Sequence, residues 1–294
     1  MQTYRPLAAA GWMTGSILSF SAMAVAGRAV AGAHDTFEVM LWRSVIGFGL
    51  VVAIAGLAGR LGEVQSRNLP QHLLRNVVHF SGQNLWFWAL SAIPLAQVFA
   101  LEFTSPLWVI LLSPLFLGER LTRLRLAAAA LGFAGAMVVA RPDFGRIEPG
   151  VLAAAASALC FAGSVILTKA LTRGETIVSI LFWLTLMQTG LGLASAGWDG
   201  AIALPSPATL PWLAVIGAAG VIAHFCLTTA LSLAPASVVV PIDFARLPLI
   251  AVIGMLLYGE ALDLWVLAGG TLIFLANWIN IRGAQVAQRN VTEN

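Results

Sequence analysis

One stretch of this sequence, Ala89–Leu121, occurs twice at a constant spacing. An Ala-Leu-Ser triplet, a proline, an acid followed by phenylalanine, and a Gly-Glu pair all recur 141 positions later. The matched pairs include Pro94 with Pro235, Glu102 with Asp243, Phe103 with Phe244, and Glu119 with Glu260. Chance similarity between apolar segments does not readily match prolines and Gly-Glu pairs at one offset. We therefore predict two copies of one unit, at 1–141 and 142–282, followed by a tail at 283–294.

The composition indicates that the repeated unit lies in a membrane. Only 10% of the residues are charged, whereas a soluble domain usually carries about 25%. Apolar runs of near-membrane length recur, and they are continuous rather than alternating, which favours helices over the strands of a barrel. The sequence thus predicts an all-α, polytopic membrane protein. Its ten transmembrane helices form two inverted five-helix repeats around a central cavity. The predicted spans are 7–30, 37–58, 70–92, 94–117, 121–140, 148–168, 177–198, 208–232, 236–257 and 262–281.

The basic residues predict the orientation in the bilayer. Because five spans is an odd number, the second unit must be inverted relative to the first. With the N-terminus in the cytoplasm, the inner loops and tails hold ten basic residues: Arg5, Arg60, Arg67, Arg120, Arg123, Arg125, Lys169, Arg173, Arg282 and Arg289. The outer ends hold three: Arg28, Arg141 and Arg146. Cytoplasmic loops are enriched in Lys and Arg, so both termini are predicted to be cytoplasmic.

Arg43, Glu102, Asp243 and Arg246 are charged residues that lie well inside predicted spans, away from the span ends. A charge at the bilayer centre costs at least ~2.5 kcal/mol, so such residues face a cavity or a partner. Asp243 and Arg246 form either an i, i+3 ion pair that fixes the ninth span or part of a substrate path. Glu102 pairs with Arg43, is protonated by desolvation, or carries a coupling proton. Arg75 is expected to extend to the cytoplasmic surface.

The third span carries a polar stripe. Asn76, His79, Gln83 and Trp86 fall at i, i+3, i+7 and i+10, on one helical face. In lipid such a face must contact protein or water. Interhelical hydrogen bonds are one interpretation, and a cavity lining is the favoured one. The predicted substrate path comprises Ser16, Met23, His79, Gln83, Asn84, Trp86, Glu102, Phe103, Phe161, Ser164, His224, Asp243, Phe244 and Arg246.

Prolines and small residues distinguish the remaining spans. Prolines remove backbone hydrogen bonds and kink helices, and the predicted hinge or kink positions are Pro94, Pro106, Pro235, Pro241 and Pro248. Spans five and ten are rich in glycine and alanine, which suits close helix contact. They are expected at the periphery, against the other half or a second protomer, which leaves a monomer or a homodimer as alternatives.

The end of the fourth span resembles a known family. The motif comprises Ser105-Pro106-Leu107, Gly118-Glu119-Arg120-Leu121, the Gly/Ala-rich fifth span ending Ala140-Arg141-Pro142, and Leu41-Trp42-Arg43. It resembles the EamA branch of the drug/metabolite transporter superfamily. The resemblance implies ten helices, inverted repeats, cytoplasmic termini, and export of small metabolites or drugs across a bacterial inner membrane by alternating access. The Trp and His content of span three is similar to that of exporters of amino acids, including aromatic ones. Leu184 stands where the second half would repeat Arg43.

Other functional classes fit the sequence less well. A carrier of nucleotide sugars or phosphorylated metabolites needs more Lys and Arg inside the bundle. An intramembrane enzyme needs a catalytic motif, and neither His-Glu-x-x-His nor Gly-x-Ser-x-Gly occurs. A non-transporting scaffold does not need mirrored acids. Cys160 and Cys226 are expected to be small core residues. The expected partners are a small-molecule substrate and the lipid bilayer, with no nucleic acid, metal or cofactor.

The inverted topology predicts the accessibility of introduced cysteines. Membrane-impermeant thiol reagents added outside intact cells are expected to label cysteines at Asp199 and Asp263, because these loops follow an odd number of crossings. Cysteines at Arg123 and Arg173 are expected to react only after the membrane is permeabilised. Outside labelling at Arg173, or a C-terminal tag accessible from outside, would contradict the inversion.

Overall fold

The computed structural model describes residues 4–30, 32–93, 98, 101–119, 121–140, 148–198, 201–258 and 264–292. The regular elements within these ranges are helices. They are α1 (Pro6–Val30), α2 (Thr36–Leu57), a 3-10 turn (Leu61–Glu63), α3 (Leu69–Ala92), α4 (Ser105–Leu117), α5 (Arg123–Ala140), α6 (Pro149–Leu171), α7 (Ile177–Ala196), α8 (Leu210–Leu233), α9 (Ala236–Val239), a second 3-10 segment (Val240–Ala245), α10 (Arg246–Tyr258) and α11 (Leu264–Thr292). The all-α prediction is confirmed for the described part of the chain.

The helices have the length and surface of membrane spans. Among the described residues, six segments are long and apolar enough to cross a bilayer: Pro6–Gly27, Thr36–Leu57, Pro149–Leu171, Ile177–Ala196, Leu210–Leu233 and Ala236–Leu257. Large apolar side chains face outward, such as Leu115 at 78% and Phe274 at 69% exposure. Lipid rather than water suits such a surface. The count of ten spans remains a prediction.

The main helix contacts join the two halves of the chain. Helix α1 packs along α8, α3 along α6, α2 along α7, and α5 along α11. Under the 141-residue offset, the contact of α1 with α8 is the counterpart of the contact of α6 with α3. The contacts of α2 with α7 and of α5 with α11 map onto themselves. The helix pairing therefore has the symmetry expected of two related copies, while the division at residue 141 and the inversion stay predictions.

The fourth and ninth spans are interrupted rather than gently kinked. Helix α4 begins only at Ser105, after a turn at residues 103–104, and Pro106 lies in its first turn, where no intrahelical N–H is needed. In the ninth span, α9 and α10 are separated by the 3-10 segment that contains Pro241. Pro235 is the N-cap of α9, and Pro248 is the third residue of α10. These prolines therefore lie at or near the starts of helical elements, at the two interruptions. Their role as hinge or kink positions stays a prediction, and Pro94 lies outside the described residues.

Helices α5 and α11 approach closely through small residues. A Cβ added to Gly135 would lie 2.8 Å from the carbonyl oxygen of Gly269, and one added to Gly132 would lie 2.7 Å from the Phe244 ring. The small-residue face of α5 is therefore covered by α11 of the same chain, which is the first of the two partners expected for it. A homodimer remains a prediction.

This close packing predicts the effect of one added methyl group. Gly135→Ala is expected to destabilise the protein by about 1–3 kcal/mol, because the methyl group forces the two backbones apart. Gly49→Ala is the matched control, since a Cβ there meets no atom within 4 Å. Thermal unfolding in detergent measures both variants. Equal unfolding temperatures for the two would contradict the close packing of α5 on α11.

Candidate functional site

A cavity of about 160 Å³ lies between α1, α3, α6 and α8, beside both helix interruptions. Since one water needs roughly 10–15 Å³ in the same measure, this volume accommodates about ten waters or a ring system. Twelve residues of the predicted substrate path line it: Ser16, Met23, His79, Gln83, Trp86, Glu102, Phe103, Phe161, Ser164, His224, Asp243 and Arg246. The central cavity of the sequence prediction thus has a counterpart in the described structure.

Two residues of the predicted path lie elsewhere. The Asn84 side chain donates to the Phe80 carbonyl oxygen at 2.8 Å, within its own helix, and does not contribute to the cavity wall. Phe244 is fully buried behind that wall, where it packs against Phe103 and occupies the space beside Gly132. Each of the two residues follows a cavity-lining residue in the sequence, but the helical backbone points its side chain away from the cavity.

An ion-pair cluster closes one side of the cavity. The Arg246 guanidinium donates to Glu102 Oε1 at 2.6 Å and to Asp243 Oδ2 at 3.0 Å. The Trp86 indole donates to the other oxygen of Glu102 at 2.7 Å. The i, i+3 ion pair of Asp243 with Arg246 is therefore formed, and it lines the cavity as well. The alternative pairing of Glu102 with Arg43 is wrong, because Glu102 contacts the arginine of the opposite interruption.

Two aromatic rings flank the same arginine. The Arg246 guanidinium carbon lies 5.6 Å from the ring centre of Phe20 and 5.4 Å from that of Phe103. Such cation–π contacts contribute roughly 0.5–2 kcal/mol, more when they are desolvated. With Trp86 and Phe161 they give the cavity several aromatic faces. Phe20 was not among the predicted path residues, although it lies one helical turn from Ser16.

A histidine pair forms another part of the cavity wall. The rings of His79 and His224 meet edge to face with centres 5.1 Å apart, and His79 Nδ1 lies 3.3 Å from Ser164 Oγ. Four buried polar atoms of this wall have no hydrogen-bond partner among the described residues: Ser16 Oγ, His79 Nε2, Gln83 Oε1 and His224 Nε2. Buried polar groups are ordinarily satisfied. Their convergence on the cavity indicates a polar ligand or ordered water.

Arg75 lies at the cavity instead of the membrane surface. It is 3% exposed and its Nε donates to Thr168 Oγ1 at 3.0 Å, while a terminal nitrogen donates to Asn76 Oδ1 at 3.2 Å. The expectation that it extends to the surface is therefore wrong. Arg75 lies four residues before His79 and therefore on the same helical face, so the periodicity of the polar stripe is the sequence pattern that predicts its place at the cavity. Thr168 stands likewise one turn beyond Ser164.

An all-helical protein with a lipid-compatible exterior and a charged, aromatic internal cavity belongs to the class of membrane transporters. A comparison with the sequence models of protein families shows which family this is. The model of the "EamA-like transporter family" matches residues 7–141 and, a second time, residues 148–282. The chain belongs to this family and is a multi-pass membrane protein.

Several curated proteins are similar over nearly the whole chain. A "Riboflavin transporter" of Rhizobium johnstonii is 33% identical, covering 97% of this chain and 94% of that protein. A "Riboflavin transporter" of Brucella anthropi is 32% identical, covering 81% and 85%. An "S-adenosylmethionine uptake transporter" of Rickettsia felis is 27% identical, covering 94% and 92%. None of these three names refers to amino-acid export.

A solved crystal structure shares the fold. It superposes with a TM-score of 0.80 at 20% identity, covering 95% of this chain and 98% of that one. At this level of identity the similarity concerns the arrangement of helices alone.

The ion-pair cluster predicts the effect of neutralising Glu102. Glu102→Gln is expected to lower stability, though by less than the roughly 3–5 kcal/mol of a fully broken buried pair, because Asp243 continues to compensate Arg246. The matched control is Glu63→Gln, which removes an exposed i, i+3 pair with Arg60. The unfolding temperature is expected to fall clearly for Glu102→Gln and to change very little for Glu63→Gln. Indistinguishable unfolding curves would contradict the role of the cluster.

Proposed function

We propose that this protein is a secondary transporter of riboflavin, or of a closely related polar heteroaromatic metabolite. The similarity to two riboflavin transporters over most of the chain supports this substrate class. The single structural observation that carries the proposal is a cavity that combines aromatic faces with unpaired polar atoms. The flat ring of a flavin needs both kinds of contact.

The cavity offers a complementary surface to each part of such a molecule. Phe20, Phe103 and Phe161 supply apolar faces for a planar ring system. The Gln83 carboxamide suits the imide edge of a flavin ring, since it carries donors and an acceptor side by side. Ser164 and Thr168 lie on one face of α6 as hydroxyl partners for a polyol chain. A ligand that donates a hydrogen bond to the unpaired Gln83 Oε1 offsets the cost of burying that atom.

A zwitterionic substrate is the second candidate. Glu102 and Asp243 stand on one side of the cavity, and Arg75 lines it from α3. This separation of charge suits an amino-acid group, as in S-adenosylmethionine or in the amino acids expected from the sequence. The similarity to the Rickettsia felis uptake transporter adds support. The closeness of Arg246 to both acids argues against it, because the carboxylates already have a cationic partner.

Movement is proposed to occur by alternating access of two inverted repeats. The double match to the family model and the pairing of helices between the halves support this arrangement. The interruptions at the fourth and ninth spans supply hinge positions in equivalent places, as in transporters with broken helices. The direction predicted from the sequence is export. Counterflow and net-flux measurements in both vesicle orientations determine it.

The experiment that tests the substrate is binding of riboflavin to the purified protein, followed by quenching of flavin fluorescence. Counterflow of radiolabelled riboflavin in proteoliposomes extends it to transport. Unlabelled S-adenosylmethionine, tryptophan and a nucleotide sugar serve as competitors. Riboflavin binding without effective competition supports the proposal. Absence of riboflavin binding, with counterflow of S-adenosylmethionine or an amino acid, would replace it with the second candidate.

Two adjacent residues of α3 provide a matched pair of variants. Gln83→Leu is expected to weaken riboflavin binding about tenfold or more, because one hydrogen-bonding edge worth roughly 1–3 kcal/mol is lost from a desolvated site. Asn84→Leu alters the next residue, whose side chain bonds within its own helix, and is expected to leave the dissociation constant nearly unchanged. Equal weakening by both variants would show that Gln83 does not contact the ligand.

A further inference from the structure

A second, smaller chamber lies between α2, α7 and α8. Its volume is about 20 Å³, which is enough for one water-sized species. Arg43, Thr185 and Gln188 line it, and His224 forms a wall that it shares with the main cavity. No residue of this chamber except His224 also lines the main cavity. The feature that needs explanation is the arginine.

Arg43 is a buried cation without an anionic partner in the described structure. The residue is 8% exposed, and its Nε has no hydrogen-bond acceptor among the described residues. It stands seven residues into α2, about 10 Å along the helix from its first residue. Arg246 shows what such a position requires, since it has two carboxylates within 3.0 Å. An uncompensated charge at membrane depth is strongly disfavoured.

The neighbouring helix has a space shaped for this guanidinium. A Cβ added to Gly220 would lie 2.9 Å from Arg43 Nε, and one added to Gly217 would lie 3.2 Å from the Arg43 carbonyl oxygen. Glycine at both positions lets α8 approach α2 while leaving room for the charged group. The arginine therefore has a defined place in the packing, and its lack of a partner is not a consequence of loose packing.

The other chamber groups do not neutralise the charge. Ser44 and Thr185 donate their hydroxyl protons to carbonyl oxygens of their own helices. Gln188 donates to the Asn76 backbone and side-chain oxygens at 3.0 and 3.2 Å. His224 Nε2 is buried and unpaired. Gln188 Oε1 is also buried without a hydrogen-bond donor among the described residues, but an amide oxygen carries no formal charge. The chamber thus holds one fixed positive charge and no carboxylate among its described lining residues.

The charged residues that line the two chambers also leave one positive charge without a negative partner. The described side chains that line them include three arginines, Arg43, Arg75 and Arg246, and two carboxylates, Glu102 and Asp243. With these groups ionised, one positive charge remains without compensation. Among the described residues, Arg75 has only neutral hydrogen-bond partners, Thr168 and Asn76. One monovalent anion would make the lining neutral.

We propose that the Arg43 chamber binds a small monovalent inorganic anion of the size of chloride. Arg43 supplies the charge, and His224 forms the wall that the chamber shares with the main cavity. A water molecule would accept a hydrogen bond from Arg43 but would leave its charge uncompensated. Sulfate and phosphate exceed the volume of the chamber. The site is separate from the cavity for the organic substrate and does not depend on which substrate that is.

Thermal unfolding of the purified full-length protein tests the proposal, with sodium chloride titrated against sodium gluconate at constant ionic strength. Chloride is expected to raise the unfolding temperature of the wild type in a saturable way, by roughly 2–4 °C at about tenfold excess over its dissociation constant. Arg43→Gln is expected to abolish this rise and to be at least as stable as the wild type in gluconate. Arg60→Gln, a change at an exposed arginine, is expected to retain the full rise.

Two results would overturn the proposal. One is a wild type that does not respond to chloride, and the other is an Arg43→Gln variant that responds as the wild type does. If Arg43→Gln does not fold, Gly220→Ala replaces it, because its methyl group displaces the guanidinium while the charge is kept; a weakened chloride response is then expected. Crystals of the wild type soaked in bromide provide a direct measurement. An anomalous peak beside Arg43 Nε is expected, and its absence at saturating bromide would show that the chamber holds water.

Discussion

The contact of Arg246 with Glu102 and Asp243 is the interaction on which the arrangement of the cavity depends. Non-helical backbone at membrane depth is tolerated only where protein or a cavity surrounds it. Both helix interruptions lie at these acids, one in each half of the chain, and a single guanidinium joins them at 2.6 and 3.0 Å. The cluster therefore compensates a buried charge and also holds the two interrupted segments together, next to the aromatic wall.

The repeated Gly-Glu pair has a structural explanation at the start of the ninth span. Gly118 ends α4 with a positive φ of 67°, a conformation that glycine adopts without strain. The next residue, Glu119, accepts hydrogen bonds from the backbone N–H groups of Ala236 and Ser237 at 2.8 and 3.2 Å. It thus satisfies the free donors at the N-terminus of α9, where a negative charge is also favourable. Its counterpart in the second half, Glu260, lies outside the described residues.

Most of the helices and of the cavity wall could be predicted from the sequence because both depend on periodicity. A polar stripe in an apolar span must face inward, and His79 and Gln83 of this stripe line the cavity. The partner of Glu102 could not be predicted in this way, since Arg246 is 144 positions distant and only the packing brings them together. The sequence pattern is ambiguous for Arg75, because its closeness to the predicted end of a span favours the surface while its helical face favours the cavity. Asn84 and Phe244 are predicted at the substrate path because each is next in sequence to a lining residue. Successive residues of a helix point in different directions, however, so a neighbour in sequence does not share the same face.

The balance of charge connects the two chambers to the choice of substrate. With only protein groups, the lining carries one excess positive charge, which would favour an anionic substrate. The proposed anion beside Arg43 would remove that excess, and the main cavity would then suit a neutral molecule with polar edges, such as the proposed substrate riboflavin. Because His224 lies between the chambers, the same imidazole contacts both sites. The proposed anion chamber and the proposed substrate of the aromatic cavity are therefore compatible with each other, although each proposal has its own test.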